Sequence, residues 1–178
     1  ADMIEGGTVV VKKMPEGTMF TTLDGVERKL NGSELMICNE KEGMCIAGVF
    51  GGQKSGISEN TKNVFLESAY FNPTWVRKCA RRHQLSTDAS FRFERGIDPN
   101  GVVYALKQAA MLIKELAGGT ISMEIKDLYP QPIESFKVDF NYQYANSLIG
   151  KEIPTDVIKS IVTNLGMKIV AETADRSE

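Results

Sequence analysis

The sequence predicts an α+β fold, on three observations. Short β-branched and apolar runs punctuated by turn residues fill the first third. Two capped helical stretches follow, and after a proline pair a smaller helix-and-strand segment begins. Strands and helices in separate blocks, rather than in strict alternation, argue for α+β over a parallel α/β sheet.

Each element has its own local signal. Thr8–Lys13 is a β-branched run, and Met19–Thr22 and Val26–Leu30 flank Asp24-Gly25, a pair that supplies the positive φ of a tight hairpin. Leu35–Cys38 and Met44–Val49 read as a second hairpin across the polar Asn39–Gly43. After Gly48-Val49-Phe50-Gly51-Gly52 and a polar loop, Val64–Phe71 reads as a largely buried strand that carries one carboxylate, Glu67. Asn72-Pro73 and Asp98-Pro99 each place a capping side chain before a proline at the first helical position. The second of these helices has Val103, Leu106, Ala110, Ile113 and Ala117 on one face, which predicts core packing, and Gly118-Gly119 ends it. Thr120–Tyr129 alternates as a half-buried strand does, up to Pro130-Gln131-Pro132. Beyond that boundary the pattern predicts a strand at Phe136–Phe140, helices near Tyr142–Leu148 and Thr155–Leu165, a strand at Met167–Val170 and a frayed Ala171–Glu178.

Composition narrows the function classes. The 178 residues carry a formal net charge of −2, with 42% hydrophobic and 25% charged residues, which excludes a uniformly basic nucleic-acid binder. No apolar run approaches the roughly 20 residues of a membrane span, and the first residues lack the pattern of a signal peptide, so a cytoplasmic location is expected. Cys38, Cys45 and Cys79 form no C-x-x-C pair and read as small buried hydrophobes in a reducing compartment. The single histidine, His83, has no Cys or His at ligand spacing, which argues against both a zinc site and a Ser-His-Asp triad.

The average charge conceals a local one. Between Arg77 and Arg95 six cations face only Asp88 and Glu94, a balance of +4 that leaves −6 for the rest of the chain. Arg77 and Arg81, and Lys78 and Arg82, are four residues apart and share a broad helix face. That face is either a solvated surface or a phosphate-binding one. Next to it lie the glycines of Gly48-x-x-Gly51-Gly52, which form neither a P-loop nor G-x-G-x-x-G, and the mixed segment Thr87–Gly96. From the pattern alone Glu67 is either paired with a nearby arginine or held for function.

The stretches Ile46–Gly52, Asn63–Pro73, Ala80-Arg81-Arg82 and Thr87–Pro99, in this order and at these intervals, closely resemble the beta subunits of bacterial phenylalanyl-tRNA synthetases. The resemblance implies that residues 1–130 form a mixed α/β tRNA-editing module with several strands and two main helices, lacking its N-terminal part. Residues 133–178 then open the next small helix-and-strand module. It implies hydrolysis of tyrosine wrongly esterified to phenylalanine-specific tRNA, with Glu67 receiving the tyrosine hydroxyl and Gly48, Thr87 and Ala89 lining the same pocket. Arg77, Lys78, Arg81 and Arg82 are the candidate RNA contacts. A site built around a phenol leaves buried polar groups unpaired when phenylalanine enters, so the selection makes physical sense.

The resemblance assigns no catalytic side chain here. A positioned water is the expected nucleophile, helped by backbone amides of Gly48–Gly52 and by a terminal hydroxyl of the tRNA. In the family a histidine segment preceding the equivalent of Ala1 contributes to this pocket, and His83 is not given that role. No cofactor or metal is expected in this chain: ATP and magnesium are implied only for the complete synthetase, whose alpha subunit would be the partner in an alpha2-beta2 assembly. The alternative is a non-catalytic RNA-binding or assembly scaffold.

Overall fold

A computed structural model describes residues 1–173 and the backbone of 176–177. Part of the expected frayed tail, residues 174, 175 and 178, lies outside the described residues. The chain divides into two units, Ala1–Leu128 and Tyr129–Glu178.

In the first unit the local signals produce the expected hairpins. β1 (Val10–Lys13), β4 (Leu35–Cys38), β5 (Gly43–Ile46) and β6 (Phe50–Gly51) form an antiparallel sheet in that order. β2 (Met19–Thr21) and β3 (Glu27–Lys29) form a separate hairpin, with Phe20 opposite Arg28. Its Asp24-Gly25 turn has Gly25 at φ 76°, and Asp24 accepts hydrogen bonds from the Thr22 hydroxyl at 2.5 Å and from Arg28. Those two donors, Arg28 first, hold the Asp24 carboxyl well below the usual carboxylate range. A bridge between Thr22 and Gly52 ties this hairpin to the main sheet.

α1 (Pro73–Arg82) starts as its sequence requires: Asn72 accepts hydrogen bonds from the Thr74 and Trp75 amides, with Pro73 at the first position. Its inner face, Val76, Cys79 and Ala80, packs with Phe20, Leu30, Met36, Cys38, Ile46 and Val49 into one core. Burial raises all three thiols, Cys79 to about 11 and Cys45 to about 12, so none is a ready nucleophile.

Three expectations fail for one reason, the lack of a partner surface. Val64–Phe71 pairs with no strand among the described residues, and Glu67 keeps one side open to solvent. Thr120–Tyr129 is likewise unpaired and exposed. α3 (Val102–Ala117), entered from a short 3₁₀ turn capped by Asp98, has no fully buried residue; its apolar face is half-buried up to Ala110, and Leu116 is 82% exposed. Apolar alternation and amphipathicity report what a segment can bury, and burial itself needs a neighbour.

In the second unit β7 (Phe140–Asn141) pairs with β8 (Arg176–Ser177). The expected strand Phe136–Phe140 shrinks to its end, and Met167–Val170 is not a strand. α4 (Tyr142–Ile149) and α5 (Thr155–Asn164) lie where the pattern puts them. Asn141 caps α4 at 2.7 Å, and the Asn146 side chain holds both backbone groups of Ile153 in the connecting turn. Among the described residues of this unit, Tyr142 and Ile158 are the buried apolar ones.

Candidate functional site

The site is built around the β5–β6 turn. Gly48 takes φ 67° there, a conformation that favours glycine. A methyl group on it would lie 2.8 Å from Phe71, 3.3 Å from Val76 and 3.4 Å from Phe93. The Phe71 and Phe93 rings meet at a centroid distance of 5.1 Å, so an aromatic pair presses directly on the turn. Gly48→Ala combines a left-handed backbone with overpacking, and a loss on the order of 2–4 kcal/mol is expected in chemical denaturation.

Thr87 locks the same turn from the other side. Its hydroxyl donates to the Val49 carbonyl at 2.7 Å and accepts from the Ser90 amide at 3.0 Å, while the Ser90 hydroxyl accepts from the Thr87 amide at 3.0 Å. This reciprocal cap starts α2 (Asp88–Phe93), a helix that sequence reading missed although Thr87-x-x-Ser90 has the spacing of a capping box. Gly48 and Thr87 are thus brought together through Val49. Ala89 sits exposed on the first turn of α2, two residues past Thr87.

Glu67 lies on the segment that ends in Phe71, four residues before that ring. The hydroxyl of Ser68 donates to the Val102 carbonyl at 2.9 Å and pins the segment beside Glu67 to the start of α3. Protein surrounds the carboxyl closely enough that burial raises its pKa, although part of the side chain stays open to solvent. Its charge is one cause of the raised Cys45 thiol, after burial, which places it within electrostatic reach of β5. Among the described residues no cation and no hydrogen-bond donor pairs with the Glu67 carboxylate. Pairing with a nearby arginine, one of the two readings open from the pattern, is therefore not what this structure shows.

The arginines divide. Arg77, Lys78 and Arg81 lie exposed on α1, whereas Arg82 turns inward to Asn31, Ser33 and Glu34, at 2.9, 2.9 and 3.1 Å. Glu34 has a side chain that is 0% exposed, and its Oε1 also meets His83 Nε2 at 3.0 Å while its Oε2 accepts from the Asn31 amide at 2.9 Å. Because an ionised carboxylate only accepts, Nε2 carries the hydrogen. Burial opposes ionisation of Glu34, but hydrogen bonds from its own backbone amide, the Asn31 amide, His83 and Arg82 outweigh it and hold its pKa low. His83 is thereby explained as a structural partner. Nothing in the local pattern around Glu34 marked it for burial.

A recess of about 610 Å³ is lined by Met14, Phe20, Leu30, Met36 and Met44, among others, and includes none of Gly48, Glu67, Thr87 or Ala89. Its lining also includes charged side chains, Glu5, Lys41, Glu42 and Lys54. Among the described residues no group of three or more His, Cys, Asp or Glu is placed to hold a metal ion. Among the described residues no helix is long and apolar enough to cross a membrane.

Comparison with known proteins gives this geometry a context. The family model for the B3/4 domain matches residues 1–118. The chain is 67% identical over 98% of its length to a phenylalanine–tRNA ligase beta subunit of Bacteroides fragilis. It is 65% identical over 98% to that of Bacteroides thetaiotaomicron, and 48% identical over 95% to that of Porphyromonas gingivalis. It spans about one fifth of the length of these relatives, 21% in each case. Matched by one family model over about two thirds of its residues, with the Gly48 turn, the Glu67 segment and α2 all inside the match, the chain belongs to the B3/4 domain family.

Proposed function

We propose that this chain is the editing part of a phenylalanine–tRNA ligase beta subunit, and that it hydrolyses tyrosine misattached to phenylalanine-specific tRNA. The observation that carries the reading is Glu67: a carboxylate without a protein partner among the described residues, desolvated on the protein side and open on the other. Keeping an unpaired charge in partial burial costs stability, and an incoming hydroxyl donor would offset that cost. Tyrosine brings such a donor and phenylalanine does not. In this reading Glu67 selects the substrate and does not attack it.

The ester is cleaved by a water, without a covalent enzyme intermediate, since the thiols are raised and His83 is committed to Glu34. Within Gly48–Gly52 the Val49 amide is engaged by Ile46 and the Gly52 amide by Met44, at 3.0 and 2.8 Å. The Gly48 amide, at the apex of the turn that Thr87 grips through Val49, is the proposed donor to the developing oxyanion. The test is deacylation of tyrosyl-tRNA and phenylalanyl-tRNA by the complete alpha2-beta2 enzyme carrying Glu67→Ala. Intact hydrolysis with intact selectivity would overturn the reading.

The exposed cations of α1 support a tRNA-docking surface under either this reading or a scaffold role. With Arg77, Lys78 and Arg81 all changed to Gln, tRNA affinity is expected to fall and its log–log salt slope to become shallower by about 2–3, near 0.7–0.9 per lost phosphate contact. Arg82→Gln is expected to lower stability instead, because that guanidinium already serves Glu34. Measuring affinity at several salt concentrations, with melting curves alongside, separates the two effects.

A further inference from the structure

The outer face of α2 takes no part in the site around the Gly48 turn. Its inner side is committed: Ser90 is buried, and Phe93 packs on Phe71. Outward, at positions i, i+3 and i+4, stand Asp88, Phe91 and Arg92, with Arg95 in the turn just past the helix. Phe91 is 55% exposed, and the Arg95 guanidinium carbon lies 3.5 Å from its ring centroid. Arg95 is held in that position by hydrogen bonds from Nη1 to the Phe91 carbonyl at 2.7 Å and to Glu94 at 3.0 Å. The result is a cation held over an aromatic ring at the surface. Arg92, 68% exposed, donates from Nη1 to the Asp88 carbonyl at 3.2 Å and lies 3.9 Å from the Asp88 carboxylate, with much of its guanidinium open to solvent.

We propose that Phe91, with Arg92 and Arg95, is a stacking surface for the unpaired 3′ nucleotides of an RNA acceptor end. This rests on the editing function proposed above and names how its substrate is held. Unpaired bases stack on aromatic rings and on guanidinium planes whatever their sequence, and adjacent cations meet the phosphates. The position suits this role, since α2 starts at Thr87, which grips the Gly48–Val49 turn, and Phe91 stands four residues on, about 6 Å along the axis. An ester placed at the turn would therefore bring the preceding nucleotide alongside Phe91. Arg77, Lys78 and Arg81 are on α1, the helix packed against α2, and extend the positive surface.

The experiment uses the complete alpha2-beta2 synthetase with Phe91→Ala and Phe91→Trp, and follows deacylation of tyrosyl-tRNA. Phe91→Ala is expected to raise KM about 5- to 150-fold, the effect of losing one base–aromatic stack, with kcat within about twofold. Phe91→Trp is expected to keep the wild-type KM. An unchanged KM in Phe91→Ala overturns the proposal. So does a lowered melting temperature of the synthetase with KM impaired equally in both variants, which would assign Phe91 to a protein–protein contact. Should the wild-type enzyme not hydrolyse tyrosyl-tRNA, the editing function fails by itself. Fluorescence anisotropy of an acceptor-stem RNA with a single-stranded 3′ tail then decides the stacking surface: weaker binding by Phe91→Ala than by wild type or Phe91→Trp supports it, and equal binding overturns it.

Discussion

Replacing Glu67 with alanine is expected to lower kcat/KM for tyrosyl-tRNA hydrolysis in the complete synthetase by about 10- to 150-fold. That range corresponds to about 1.5–3 kcal/mol for a hydrogen bond to a charged group. Hydrolysis of phenylalanyl-tRNA should change little, because phenylalanine has no hydroxyl to lose a partner. Glu67→Gln should retain part of the tyrosine preference, since an amide oxygen still accepts a hydrogen bond but without the charge. A purely structural Glu67 would instead affect both substrates alike.

The same residue has an expected pH signature. Burial raises the Glu67 pKa in the folded chain, so between the unfolded carboxylate value near 4.5 and the raised folded value the native state binds more protons than the unfolded one. Stability therefore falls as pH rises through that window, and above it the cost of the buried charge is constant. Glu67→Gln should remove this dependence and leave the chain slightly more stable at neutral pH while its selectivity declines. Denaturation midpoints at several pH values measure the first effect, and competing deacylation reactions the second. Opposite movement of stability and activity is the mark of a group kept for function.

The largest expected stability effect lies away from the site, at Glu34. Glu34→Ala leaves the Asn31 amide, His83 and Arg82 without their shared acceptor and opens a void beneath the end of α1. Breaking a buried charged network of this kind costs about 3–5 kcal/mol, or a fall in Tm of roughly 6–20 °C for a chain of this size. The pH dependence has the opposite sign to that of Glu67. Hydrogen bonds hold the folded pKa of Glu34 below its unfolded value, so its stabilising contribution is present above the ordinary carboxylate range and is lost as pH falls through the lowered pKa. Urea titrations of wild type and Glu34→Gln at neutral and acid pH should converge toward the acid end.

What could be read in the sequence shares one property: its cause is local. Asp24-Gly25 made its hairpin turn, Asn72-Pro73 started α1, and Gly118 closed α3, since each acts within a few residues of itself. The ordered motifs carrying the family resemblance were also legible, and the match to the B3/4 domain agrees with them. α2 was missed although its signal was local too, in the hydroxyl pair Thr87 and Ser90.

Tertiary structure decided the rest, because it depends on what stands opposite a segment. Val64–Phe71 and Thr120–Tyr129 have the composition of strands, but a ladder needs a second backbone, and none pairs with them among the described residues. Arg82 and Arg81 are adjacent in sequence; only the fold turns one onto a buried carboxylate and leaves the other in water. Glu67 could be singled out in one dimension as a carboxylate in an apolar run. That no cation among the described residues pairs with it, and that it lies within electrostatic reach of Cys45, was settled by packing, because charge pairing and desolvation are set by distances across the fold rather than along the chain.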